Sequence, residues 1–325
     1  MAETFYSQIA ANKRNSFLLT LVIVVLFALL GFSIGYAIGG EVTSAIFVMV
    51  IALVVGGLLS VGSFFSGDSL VLAASSAHEV DAQAAPQLLN VVQELALAAN
   101  VPMPKVYIID DTAPNAFATG RDPEHASVAI TSGLLEKLDR EELQGVIGHE
   151  LSHVRNYDIR FALLVGVLVG SIALLADFFL RFTFWGGGRS SRSDRNGGSG
   201  GLQAIMFVVA IVLSILAPIA ARFVQLAVNR QREYLADASS VGLTRNPYGL
   251  ERALAKISAD PEVLEVANRA TQHMYFTNPI KKFEERASNL FSTHPATVDR
   301  INRLRELTGE QPLEPAEMAQ LASLD

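Results

Sequence analysis

Val146–Ile147–Gly148–His149–Glu150–Leu151–Ser152–His153–Val154 carries two histidines four residues apart, with a glutamate directly after the first. On an α-helix each residue turns by about 100°, so His149 and His153 stand about 40° apart, one turn above the other, and can grip one metal ion. Glu150 lies on the adjoining part of that face, close enough to act on a metal-bound water without being a ligand. The helix is well signposted. Asp139 can cap it, Glu142 three residues later completes a capping-box spacing, and the helix is expected to continue through His153 towards Asp158. Val146, Ile147, Gly148, Leu151 and Val154 add no charge around the pair. The competing reading is two satisfied core histidines with a stray glutamate.

Outward from this motif, composition narrows the class. Of 325 residues, 50% are hydrophobic, and they fall in long uncharged runs that alternate with ordinary mixed sequence. That distribution belongs to a membrane protein carrying a soluble part. A net charge of −7 argues against nucleic acid as a partner, since that would need a basic face. The absence of cysteine excludes disulfides, thiolate metal sites and a cysteine nucleophile, and is compatible with a reducing compartment. Any metal must be held by imidazole and carboxylate, and six histidines are available: His78, His125, His149, His153, His273 and His294.

Four segments are long enough to cross a bilayer, which takes about 20 helical residues. They run about 17–38, 45–65, 161–180 and 202–224. Residues 1–70 thus form an N-terminal transmembrane hairpin and 161–224 a second one, with a Gly/Ser/Arg loop, Gly186–Gly201, inside it. The first run is too long for a signal h-region and is at once followed by another span, so it reads as a retained anchor. Residues 71–160 form a soluble catalytic part and 225–325 its C-terminal complement. A helix opens at Pro86, strands are expected at Val106–Ile109 and Ser127–Thr131, and further helices at Gln225–Val241, Tyr248–Ser258 and Thr297–Leu307. The fold class is mainly α, α+β: a polytopic helical membrane protein whose catalytic part carries a small β-sheet. Lys13 and Arg14 before the first span place the N-terminus, and with four spans the catalytic part, in the cytoplasm. Arg189, Arg192 and Arg195 in the loop of the second hairpin run against that rule, so the first hairpin carries the argument.

A catalytic zinc takes three protein ligands and one open position. Residue 159 is Ile, so no third histidine follows six residues after the second, and Asp158 on a continuous helix would swing about 140° away from His153. Glu233 and Asp237 are four apart on a helical pattern and share a face. Glu233 can be a carboxylate ligand, and Asp237 can accept the second N–H of a ligating histidine. Alternatively they are a solvated face paired with Arg230 and Arg232. His153 precedes the third span by about 12 Å of helix and Glu233 follows the fourth by about 13 Å. Straight helices would bring the two to matching heights above the bilayer.

His149-Glu-Leu-Ser-His153, Glu233-Tyr-Leu-Ala-Asp237, Asn115-Ala-Phe-Ala-Thr-Gly120 and Ser292-Thr-His-Pro295 followed by Arg300 together resemble HtpX-type membrane zinc metalloproteases, over nearly the whole chain. That resemblance implies an integral-membrane endopeptidase of the zincin-like, gluzincin type, linked to quality control of membrane proteins in the bacterial inner membrane. It implies one Zn2+ per chain on His149, His153 and Glu233, with Glu150 as general acid/base and Asp237 behind a ligand. It also puts His294 near the oxyanion with Arg300 in support. The plainer reading of that segment is a helix start, with Thr293 as cap, Pro295 in the first turn and Arg300 solvated. Asn115, Ala116 and Phe117 begin a segment that is either an edge strand receiving an extended substrate or an ordinary turn and short strand. Expected partners are the lipid bilayer and membrane-protein or unfolded-protein substrates. The rivals are a catalytically inactive scaffold of the same fold, a channel or transporter, and a zinc hydrolase acting on lipid. Every residue the chemistry needs is present, and only Asp177 and Arg222 are ionisable within the spans, both near span ends.

Overall fold

A computed structural model describes residues 5–185, 200–264, 275–276, 295–314 and 317–323. The Gly186–Gly201 loop (up to residue 199), His273 and His294 lie outside them. The protein is mostly helical, with one small mixed sheet, and its contacts divide it into two units.

The first unit, Met1–Ser63 with Leu164–Gln225, holds the apolar helices. Helix α1 spans Phe5–Gly39 and α2 Val42–Ala74, so the second apolar run continues as helix well beyond the expected residue 65. Among the described residues, four stretches are long and apolar enough to cross a membrane: Thr20–Gly39, Val42–Ala74, Asp158–Phe184 and Gly201–Phe223. In lipid there is no hydrophobic drive between helices, so close packing must supply the attraction. Gly31 and Gly35 of α1 provide it. A Cβ on Gly35 would come within 2.6 Å of the Ser44 carbonyl oxygen and 2.8 Å of Ala45 Cα on α2. Large side chains such as Phe17, Phe47 and Leu58 face outward instead, as a lipid-facing surface requires.

The second unit, Phe64–Leu163 with Leu226–Asp325, is built on the sheet. Strand β1 is His78–Glu79, β2 Lys105–Ile109, β3 Ala116–Gly120 and β4 Ala126–Thr131, in the spatial order β1-β2-β4-β3. β2 and β4 are parallel, and the outer strands run antiparallel to their neighbours. Alternation divides the sheet's side chains between two cores. Val106, Val128 and Ile130 meet α3 (Pro86–Ala99) and α5 (Arg140–Arg155), whereas Ile109, Phe117 and Ala129 pack with Leu72 and Tyr275. A short helix, α4, occupies Ser132–Lys137, capped by the Thr131 hydroxyl.

α5 starts with the expected capping box: Asp139 accepts from Glu142 N–H, and the Glu142 carboxylate accepts from Asp139 N–H. Glu142 is fully buried and also receives Arg252 and Lys256 from α8 (Pro247–Ala259), which ties the start of α5 to that helix. Gly145 lets the two backbones meet, because a Cβ there would lie 2.7 Å from Leu250 Cα. Helix α9, Thr297–Thr308, closes the core over α8, and a short α10 follows at Met318–Ala322.

Two expectations about the helices need correction. α5 does not run on to Asp158: it ends at Arg155, Asn156 caps it, Tyr157 takes a left-handed conformation with φ 61°, and α6, Asp158–Trp185, begins at once. His153 is therefore not joined to the third apolar stretch by a straight helix, as the matching heights required. On the other side α7 is one helix over Gly200–Thr244, carrying Glu233 without a break.

Candidate metal centre

The site lies within the second unit, where α5 contributes its inward face. His149, Glu150 and Ser152 are buried, and earlier on the helix Gly145 and Gly148 let it pack closely against α8 and α7. Gly148 leaves room for Ser240 of α7, whose hydroxyl donates to the Gly145 carbonyl at 2.6 Å. This contact brings the α7 turn bearing Glu233 alongside the two histidines.

The three side chains converge. His149 Nε2 and His153 Nε2 are 3.1 Å apart, and the Glu233 carboxylate reaches both, with Oε2 3.5 Å from His149 Nε2 and Oε1 3.5 Å from His153 Nε2. A tetrahedral metal with bonds of about 2.0–2.2 Å needs its donors about 3.3 Å from one another. These pairwise spacings fit that size, and two imidazoles with one carboxylate form a donor set that suits zinc. Among the described residues this is the group of three that could hold a metal.

Both Nδ1 atoms point away from the triangle to carboxylates. His149 Nδ1 is 2.8 Å from Asp237 Oδ1, and His153 Nδ1 is 3.1 Å from Asp158 Oδ2. That arrangement turns each Nε2 towards the same point. Asp237 in turn accepts from Arg300, Nη2 at 2.6 Å and Nε at 2.8 Å. Arg300 is 1% exposed, donates to the Phe276 carbonyl and lies over that residue's ring, so the solvated alternative for Arg300 is overturned. Arg232, once a candidate for a solvated face, is buried too: it pairs with Asp158 at 3.2 Å and covers the Phe161 ring.

The electrostatics follow from burial and neighbours. Burial pushes the Glu150 carboxyl up, against the pull of His149 and His153. Burial also opposes charge on the imidazoles, yet it is outweighed. Asp237 and Glu233 raise His149, and Asp158 and Glu233 push His153 up to about 10. Asp237 is lifted by burial but held below the ordinary carboxylate range by Arg300 and His149. A metal ion bound there would displace any proton on the Nε2 atoms.

β3 is the edge of the sheet, and several of its backbone groups are already bonded. Asn115 N–H and C=O are bonded to Thr131, Ala116 C=O accepts from Phe276 N–H at 2.7 Å, and Phe117 is paired with Ala129 and wholly buried against Tyr275. The alternation of an antiparallel ladder turns the backbone groups of Ala118 and Gly120 away from β4, and the Ala118 N–H bonds to Glu150. Ala118 lines the same pocket as His149, Glu150, His153 and Glu233.

Sequence reasoning missed Asp158, Arg232, Phe161 and Phe276. A signal for Asp158 existed in its spacing from His153, but it depends on a helix break at Tyr157, a residue type that gives no warning of a left-handed conformation.

Peptidase family M48 matches residues 82–308. Among curated proteins, the "Protease HtpX homolog" of Streptococcus uberis is 46% identical over 302 residues, covering 93% of this chain and 99% of that one. Those of Listeria monocytogenes, 44% identical over 306 residues, and Lactiplantibacillus plantarum, 46% over 303, match over the same shares. Among solved structures, the crystal structure of S. mikatae Ste24p superposes with a TM-score of 0.40 at 18% identity, over 81% of this chain and 65% of that one. With four apolar helices and a His–His–Glu cluster inside the matched span, the protein is a membrane-bound metalloprotease of bacterial type, and the chain belongs to peptidase family M48.

Proposed function

We propose that the protein is a zinc endopeptidase of the bacterial inner membrane, with one Zn2+ on His149, His153 and Glu233, a cytoplasmic catalytic part and membrane or unfolded proteins as substrates. The observation that carries the reading is the convergence of the three donors, with His149 Nε2 3.1 Å from His153 Nε2 and a Glu233 oxygen 3.5 Å from each nitrogen (Oε2 and Oε1 in turn), and with both histidines held from behind by carboxylates. The catalytic part joins 71–160 and 225–325, anchored by hairpins 1–70 and 161–224. Lys13 and Arg14, on α1 ahead of its apolar stretch Thr20–Gly39, support the cytoplasmic orientation.

When bound, zinc supplies Lewis acidity and lowers the pKa of a water towards neutrality. Glu150, next to His149 and 1% exposed, takes a proton from the attacking water and delivers it to the leaving amine. Ala118 N–H orients the Glu150 carboxylate, and the outward side of Ala118–Gly120 receives the substrate backbone as an added strand. Strand addition gives affinity from main-chain groups, so sequence preference at the cut site is weak. Asp237 and Arg300 hold His149 in place. His294, outside the described residues, is proposed as a donor to the oxyanion on the strength of its motif alone.

The test is zinc content and casein cleavage of the detergent-purified protein beside Glu150→Gln. Zinc-dependent cleavage that disappears in the variant, with the metal retained, supports the reading. Equal cleavage by wild type and variant refutes the role of Glu150. A wild type that takes up no added zinc and cuts nothing favours the inactive scaffold.

A further inference from the structure

The two histidines of the donor triangle are backed by the same succession of groups. Behind His149 come Asp237, Arg300 and the Phe276 ring; behind His153 come Asp158, Arg232 and the Phe161 ring. Asp158 divides its oxygens. Oδ2 faces His153 Nδ1 at 3.1 Å and Oδ1 accepts from Arg232 Nε at 3.2 Å. The Arg232 guanidinium lies 3.6 Å above the Phe161 ring centroid, close enough to fix its plane. Asp158 and Arg232 are 4% and 5% exposed, so neither is a surface pair with a choice of solvent partners.

The placement in the chain is economical. Arg232 and Glu233 are consecutive on α7, and on a helix their side chains diverge by about 100°. One backbone segment therefore delivers a donor to the triangle and a clamp to the far side of His153. Asp158 is the first residue of α6, reached from α5 through Asn156 and the left-handed Tyr157. That turn brings the carboxylate back over His153, where a continuous helix would have carried it away.

We propose that Asp158 and Arg232 are positioning residues for the metal: together they fix the ring of His153 so that its Nε2 stays in the donor triangle, and they set the metal affinity of the site. The inference rests on the assignment of His149, His153 and Glu233 as ligands. An imidazole on a helix has two soft torsions, and a single hydrogen bond at Nδ1 removes most of the ring's freedom only if the acceptor is itself immobile. Arg232 makes Asp158 immobile. Removal of such outer partners weakens metal binding by about 10- to 100-fold.

The experiment uses the full chain in detergent and measures zinc affinity by competition with a chromophoric chelator, and the visible spectrum of the Co2+-loaded protein. The variants are Asp158→Asn, which keeps shape and volume, Arg232→Lys, Arg232→Met, and Asp158→Asn combined with Arg232→Met. Asp158→Asn is expected to weaken zinc binding by about 10-fold or more and to shift the cobalt bands, because ring orientation at one ligand has changed. Arg232→Met weakens binding less, Arg232→Lys less again, and the double variant binds no more weakly than Asp158→Asn alone, since both residues act through His153. Zinc affinity within twofold of wild type in Asp158→Asn, with an unaltered cobalt spectrum, overturns the inference while leaving the ligand assignment intact. A wild type that binds neither metal overturns the ligand assignment, and this inference with it.

Discussion

Arg300→Met removes one partner of a fully buried ion pair. Asp237 accepts two bonds from Arg300, at 2.6 and 2.8 Å, and its remaining close partner is His149. Taking the guanidinium away leaves a carboxylate that is 3% exposed without its compensating charge. Breaking a buried pair from one side costs about 3–5 kcal/mol, mostly the penalty of the stranded ion. At about 1.4 kcal/mol per tenfold, that is a change of roughly 150-fold or more in the unfolding constant. Combining Arg300→Met with Asp237→Asn removes both charges, so the double variant is expected to be more stable than Arg300→Met alone. The assay is urea unfolding of the metal-free protein in detergent, followed by circular dichroism. A loss below about 1 kcal/mol in Arg300→Met, or a double variant less stable than the single, refutes the reasoning.

The pH dependence has a definite sign. His153 is raised to about 10 in the folded protein, so its contribution is fully present below the unfolded value near 6.5 and is lost as pH rises towards 10. Metal-free protein should therefore lose thermal stability between about pH 6.5 and 10, whereas zinc-loaded protein, its imidazoles already deprotonated, should stay flat over that range. Gly145→Ala places a Cβ 2.7 Å from both Cα and N of Leu250, so overpacking between α5 and α8 is expected to cost about 1–3 kcal/mol in the same unfolding assay. A cost near zero would show that α8 yields. His294→Ala is expected to lower casein turnover by about 10²-fold with zinc content unchanged; unchanged turnover removes it from the mechanism.

The residues and the fold were legible to different depths. The α5 capping box and histidine pair were written in a local pattern, because capping and one-turn spacing involve neighbours along the chain. The four apolar stretches were legible for the same reason: length and composition alone decide whether a helix can span a bilayer. The end of the second was not: α2 continues to Ala74, since a helix does not stop where hydrophobicity stops.

The sequence by itself determined the chemistry available: with no cysteine, imidazole and carboxylate had to hold any metal, and His149, Glu150 and His153 were fixed in relation to one another by helical spacing. Tertiary structure alone decided what surrounds them. Arg300 and Arg232 look solvated in sequence, because charged residues usually are, yet each is buried on an aspartate and a phenylalanine from a distant part of the chain. Which β3 backbone groups face away from β4 likewise depends on ladder register, and Phe276, 160 residues from Ala116, takes the Ala116 carbonyl. Contacts between remote segments leave no period or spacing to read. They come into being when the core of α3, α5, α8 and the sheet closes and makes those partners neighbours.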